Sequence, residues 1–349
     1  MSKAHKLKSM FPVSPFEIFK QGRNFMHQRD QFVGLDLLID PFSDDALIGD
    51  TRLLFAPETN NGKVRIHVLS DSQMPTLSKK ATFAVVMLGS EVFDKRAVEH
   101  KKHIQAVVAQ LAAKEEPYVV LTRGENIAEI AHALNTPIKD VLYVPDYEEL
   151  SAKLALWCAQ SLSDARLALA ANFEFVRHAI AQEFVKITSL QNGVVGGVVF
   201  IPGADMPIMT LNQIKMVLQI ATAYGEPLDM KRIKEIASVI AGAFLSRTIA
   251  RELVSFVPGI GWAIKAGIGY GATYAMGFSV IEYYSMGAGD VTFSQFLKGA
   301  KEDIMARAKE IAEERQESPA SAAHKALAFT EEVASETKRL YIESKGKRD

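Results

Sequence analysis

The sequence predicts a mainly parallel α/β N-terminal domain followed by an all-α C-terminal helical domain, and three observations carry that expectation. Between residues 63 and 162, short apolar runs of strand character alternate with runs of helical character, the spacing of βαβ units. Near residue 165 the composition changes and helix punctuation takes over. Further on, Phe256 to Ser279 (FVPGIGWAIKAGIGYGATYAMGFS) holds six glycines and one charge, Lys265. That stretch is too apolar for a surface loop and too glycine-rich for an ordinary helix.

In the first domain the strand candidates are KVRIHVLS (63–70), ATFAVVML (81–88), PYVVL (117–121) and VLYV (141–144). Helices are expected from about Val98 to Lys114, over NIAEIAHAL, and from Tyr147 to about Leu162. In the second domain only VVGGVVFI (194–201) has any strand character. Thr210 and Gln213 form a capping-box signature ahead of LNQIKMVLQIATAY, and Gly225 with Pro227 closes that helix. Asp229 is placed to cap the next helix, which runs toward Phe256 and stops at Pro258 and Gly259. The tail from Lys298 splits at Ser318 and Pro319 into two charged, alanine-rich helices. The expected divisions are a mobile tail over 1–30, the α/β domain over 31–165, the glycine-rich helical domain over 166–297 and charged helices over 298–349.

Composition narrows the function. The chain has 349 residues, 48% hydrophobic and 23% charged, which is the balance of a folded globular protein. A formal net charge of -1 and the lack of a basic stretch argue against nucleic acid as a partner. The single cysteine, Cys158, cannot form an intramolecular disulfide and reads as a small buried hydrophobe. Prolines interrupt the apolar part of MSKAHKLKSMFPVSPFEIF, so a secretory signal is not expected.

A search for chemistry gives little. No GxxxxGK[ST] is present to cradle phosphates, and Gly267, Gly269 and Gly271 do not follow a strand as a dinucleotide fingerprint must. Glu99 and His103, one helical turn apart, offer two metal ligands, but a site needs three or four, and the lysines between them mark a solvated helix face that also includes His100. His67 and His178 read as packed or hydrogen-bonded structural residues, and the neighbouring acids Glu148 and Glu149 diverge on a helix. No catalytic residue, no metal site and no cofactor is expected.

The glycine segment has a helical period. Gly259, Ala263, Gly267, Gly271, Ala275 and Ser279 recur every four residues and form one strip of small side chains, which lets another helix approach closely. Pro202 with Gly203 and Pro258 with Gly259 mark hairpin turns, with Asp205 accepting backbone hydrogen bonds at the first or contacting a partner. Membrane insertion of the stretch from Ile260 to Ile281 is near break-even: its Ile, Val and Phe residues are worth about -3 kcal/mol and a central Lys265 costs about 3 kcal/mol. A buried soluble helix and a membrane-embedded hairpin both remain open.

Two resemblances add to this reading. Residues 60 to 162 resemble the later half of a small GTPase domain. Asp71-Ser72-Gln73-Met74 follows KVRIHVLS where a GTPase carries Asp-x-x-Gly, and Thr122-Arg123-Gly124-Glu125 follows PYVVL where it carries Asn-Lys-x-Asp. Met74, Thr122 and the longer Glu125 depart from those motifs, which implies a degenerate domain; the competing implication is a divergent nucleotide-binding hydrolase using Asp71, Arg123 and Glu125. The ordered set FIPGADMPIMTLNQIKMVLQIATAYGEPL, FVPGIGW and GYGATYAMG resembles the helical domain of unknown function that accompanies bacterial GTPases and occurs in YcjF-type inner-membrane proteins, over residues 170 to 285. That resemblance implies a bacterial, cytoplasmic protein, associated with or inserted in the inner membrane; a soluble scaffold without lipid contact is the alternative. Its partners would be itself or another protein, a GTPase among them.

Overall fold

The computed structural model describes residues 15–70, 73–89, 98–198, 205–226, 228 and 261–285, with the backbone alone at 15–17, 196–198, 205–207, 261–269, 272 and 275. The chain divides into two units, His27–Ile180 and the remainder.

Five strands form the sheet of the first unit: β1 (Val33–Ile39), β2 (Gly62–Val68), β3 (Phe83–Leu88), β4 (Tyr118–Thr122) and β5 (Val141–Tyr143). All pairings are parallel, in the order β2-β1-β3-β4-β5. The helices number, in chain order, α1 (Pro15–Arg29), α2 (Asp45–Leu54), α3 (Val98–Ala113), α4 (Ile127–Leu134), α5 (Tyr147–Ser161) and α6 (Arg166–Asn172). Later come α7 (Arg177–Val198), α8 (Asp205–Ala223) and α9 (Gly261–Ser285).

Burial on both faces explains why β1 and β3 are continuously buried rather than alternating. On one face Leu38, Ala84, Val86 and Val120 meet Ile104, Val107 and Leu111 of α3 and Ile130 and Leu134 of α4. The opposite face carries an aromatic cluster: the Phe55 ring stands 5.7 Å from Phe83 and 5.1 Å from Phe173, and Phe83 is 6.2 Å from Trp157 of α5. Among the described residues no helix joins β2 to β3; that connection sends Leu69 and Leu77 into the core of the α3 face. Cys158 is buried on α5, and desolvation pushes its thiol up, so it is an inert packing group.

The four strand candidates and three helix candidates of the sequence match β2 to β5 and α3 to α5. β1, an interior strand of the sheet, was not among them. Asp36 and Asp40 interrupt its apolar pattern, yet both are buried because the fold supplies donors: the Ser78 N–H reaches Asp36 Oδ2 at 2.7 Å, and the Gly89 N–H reaches Asp40 Oδ2 at 2.8 Å.

In the second unit the described helices are α1 up to Met26, α7 from Ala181, α8 and α9. VVGGVVFI is not a strand in its first part: α7 continues through Val198. The capping-box reading also fails. α8 starts at Asp205, so Thr210 lies inside it, buried, and the Gln213 side chain donates to Thr273 Oγ1 at 2.8 Å instead of folding back on the backbone. Pro207 suits the first turn, where no intrahelical N–H is needed. Gly225, at φ 84°, supplies the left-handed residue that ends α8.

A polar network holds these helices in register. Asn192 of α7 donates to Thr273 Oγ1 of α9 at 2.9 Å and to the Met209 carbonyl of α8 at 3.2 Å, and its own Oδ1 accepts from Asn212 at 3.0 Å. Packing around it is tight. A Cβ on Gly277 of α9 would lie 2.4 Å from Val185 Cγ2 of α7. No helix among the described residues is long and apolar enough to cross a membrane.

Candidate functional site at the carboxyl edge of the sheet

β1 is followed by a connection to one side of the sheet and β3 by one to the other, so their carboxyl ends define the switch point where open parallel sheets bind ligands. Here the chain places Asp40-Pro41-Phe42-Ser43-Asp44 after β1, Gly89 after β3, the start of α3 with His100, and Thr122-Arg123-Gly124-Glu125 after β4.

Asp40 is the centre of this edge. Its Oδ1 accepts the Phe42 N–H at 3.1 Å and lies 2.8 Å from His100 Nε2, while Oδ2 takes the Gly89 N–H. The turn is anchored further by the Ser43 hydroxyl, which donates to the Met87 carbonyl at 2.9 Å. Gly89 cannot carry a side chain, since a Cβ there would meet the Phe42 carbonyl oxygen at 2.3 Å. Phe42, exposed, stands edge-on to the His100 ring with centroids 5.1 Å apart.

Asp44 caps α2. Its Oδ1 accepts the Leu47 N–H at 2.9 Å and sits 3.3 Å from an Arg123 guanidinium nitrogen. Chemically, the edge therefore presents one buried carboxylate, Asp40, with both oxygens held by backbone donors, and one exposed carboxylate, Asp44, holding a single backbone N–H, with His100 beside the first and Arg123 beside the second. An incoming anion would meet fixed negative charge at the helix N-terminus, where phosphate sites need open N–H groups.

The structure distributes the sequence candidates as follows. Arg123 is committed to Asp44, and Glu125 is exposed with its carbonyl accepting the Ile127 N–H. Thr122 is buried and its hydroxyl accepts the Gly124 N–H at 3.0 Å, which turns the chain after β4. Asp71 lies outside the described residues; Gln73 beside it forms a bridge with Ser70. His100 is not on a solvated face as expected: it is buried, because the α3 N-terminus packs onto the Asp40 turn. Glu99 pairs with Lys102 at 2.9 Å on the surface. Among the described residues no group of three His, Cys, Asp or Glu is placed to hold a metal.

Of the small-residue strip, Ala263, Gly267, Gly271, Ala275 and Ser279 all belong to α9; Gly271 is half-buried and Ser279 buried. Gly259, Pro258, Pro202 and Gly203 lie outside the described residues, and Asp205 opens α8. The close approach at Gly277 falls on a different side of α9 from that strip, because six residues separate it from Gly271. Asp40, Asp44 and Gly277 were missed. An acidic N-cap motif, DPFSDD, after an apolar run was the signal available for the first two.

The fold and this edge define a doubly wound α/β unit joined to helices. No family model, no curated protein and no solved structure matches the chain.

Proposed function

We propose that this chain is a non-catalytic, GTPase-associated-type protein whose α/β unit is a degenerate GTPase-like domain and whose helices mediate self-association or contact with a protein or membrane. The observation that carries the non-catalytic part is the Asp40 and Asp44 turn, whose carboxylates take the Phe42, Gly89 and Leu47 amides. A phosphate would have to displace those carboxylates, and Arg123 is paired with Asp44. The GTPase-like part is supported by order along the chain: Asp71-Ser72-Gln73-Met74 comes after β2 in sequence, and Thr122 to Glu125 runs from the last residue of β4 at the carboxyl edge.

For the contact role, Leu190 and Val194 support the reading. They stand one helical turn apart on α7 and are 52% and 64% exposed. Together with Ile208 of α8, 48% exposed, they give the helical unit apolar surface within the stretch from Leu190 to Ile220. Sedimentation of the full chain against Leu190→Ser with Val194→Ser tests this role. Loss of a concentration-dependent assembly, or of recovery with a membrane fraction, is the expected result; unchanged behaviour in both assays refutes it.

A further inference from the structure

β2 is the sheet's outer strand, and among the described residues it pairs only with β1. The hydrogen bonds at its two ends fix which backbone groups face inward. Val33 N–H donates to the Asn61 carbonyl at 2.9 Å, and Leu69 N–H donates to the Ile39 carbonyl at 2.8 Å. In a parallel ladder the bonded residues of one strand alternate, so Lys63, Arg65 and His67 turn their amides to β1, and Val64, Ile66 and Val68 turn theirs outward.

Side chains alternate in the same register. Arg65 and His67 pair with Asp36 and Leu38 and share their face, with Lys63 in line, while Ile66 and Val68 share the face of Leu37 and Ile39. Lys63 and Arg65 are exposed, as are Ile66 and Val68 at 47% and 66%. His67 is turned toward Asp36, its Nε2 3.5 Å from Oδ1. The edge thus offers three outward amide and carbonyl pairs, a cationic row on one face and an apolar row on the other, with no acidic residue and no proline in the strand.

Those charges choose the occupant. A second copy of β2 laid antiparallel on this edge and centred on Val64 or Arg65 would bring Lys63 and Arg65 against their own kind, and like charges opposite one another destabilise strand pairs. We infer that the outer edge of β2 docks an extended segment of another protein by strand addition, its acidic residues facing Lys63 and Arg65 and its apolar residues, at the alternate positions, facing Ile66 and Val68. Backbone bonds to Val64, Ile66 and Val68 supply affinity, and the two rows supply selectivity. This site uses none of the residues of the helical surface proposed above.

The test is a titration of the full chain with an acetylated, amidated heptapeptide alternating glutamate and valine, read by fluorescence anisotropy and by amide hydrogen exchange. Binding is expected to weaken with salt and to slow exchange at Val64, Ile66 and Val68. Ile66→Pro removes an outward N–H without touching the β1 ladder, and is expected to weaken binding about tenfold with an unchanged circular dichroism spectrum. If that variant unfolds, Arg65→Glu replaces it: preference should pass to the peptide with lysine in place of glutamate. Equal binding of the two peptides by the unaltered chain, or no binding at millimolar peptide, overturns the inference. So does protection of the three amides that rises with protein concentration in the absence of peptide, since a second copy would then be the occupant.

Discussion

Asp40 Oδ1 lies 2.8 Å from His100 Nε2, joining the end of β1 to the start of α3 across sixty residues of sequence. The other oxygen of the same carboxylate takes the Gly89 N–H, so one side chain fastens the turns after β1 and β3 to the helix between β3 and β4. Ionised acceptors of this kind bind donors about twice as strongly as neutral ones.

Asp40→Asn is therefore expected to destabilise the protein by about 2–4 kcal/mol, because an amide nitrogen would face one of the three donors and leave it unpaired in a buried place. Urea denaturation measures this. A loss below about 0.5 kcal/mol, the range of ordinary surface substitutions, would show that the carboxylate does not hold the turns.

The helical unit makes a second prediction at Gly277. Alanine there puts a methyl group against Val185, which is fully buried, and should cost about 1–3 kcal/mol. Val185→Ala in the same chain should recover part of that loss, by making room. By contrast, Gly267→Leu with Gly271→Leu tests the small-residue strip: loss of assembly and a lowered Tm are expected, and an unchanged oligomeric state and Tm would count against the strip as an interface.

The network around Thr273 predicts coupling. Asn192→Leu and Gln213→Leu each remove a donor to the same hydroxyl, and each should cost about 1–3 kcal/mol by thermal or urea unfolding. Sharing one partner, they should not add: the double variant is expected to fall short of the sum by at least about 0.5 kcal/mol.

How much of this was legible in the sequence follows from where its physics is local. β3 and β4 are apolar runs bounded by breakers, and α5 begins at Asp146, whose side chain accepts the Glu149 N–H at 2.9 Å; such signals sit within a few residues. β1 was hidden, because Asp36 and Asp40 look polar until Ser78 and Gly89, more than forty residues away, satisfy them. For the same reason His100 read as a surface residue. The spacing of small residues in α9 was visible, but the side on which α7 comes closest depends on Val185, which no periodicity within α9 can reveal.

Glu116 gives a pH signature. It follows α3, and burial first, then the Asp36 charge, raise its carboxyl above the usual 4.5, with Lys114 opposing. Its Oε1 is buried without a hydrogen-bond partner. A raised acid favours the folded state while protonated, so its contribution is full below pH 4.5 and is lost as pH rises through the higher folded value. Glu116→Gln should therefore be more stable than the unaltered chain at pH 7, and the gap should close as pH falls below 4.5. Parallel melting curves across pH check this; a gap that persists in acid would assign the effect to packing.

The central claim is that the carboxyl edge of the sheet is closed to phosphate by its own aspartates. Calorimetric titration of the full chain with GTP and magnesium tests it most directly. No binding heat at millimolar nucleotide is predicted; tight, magnesium-dependent binding would contradict the account and restore the nucleotide-hydrolase reading through Asp71, Arg123 and Glu125.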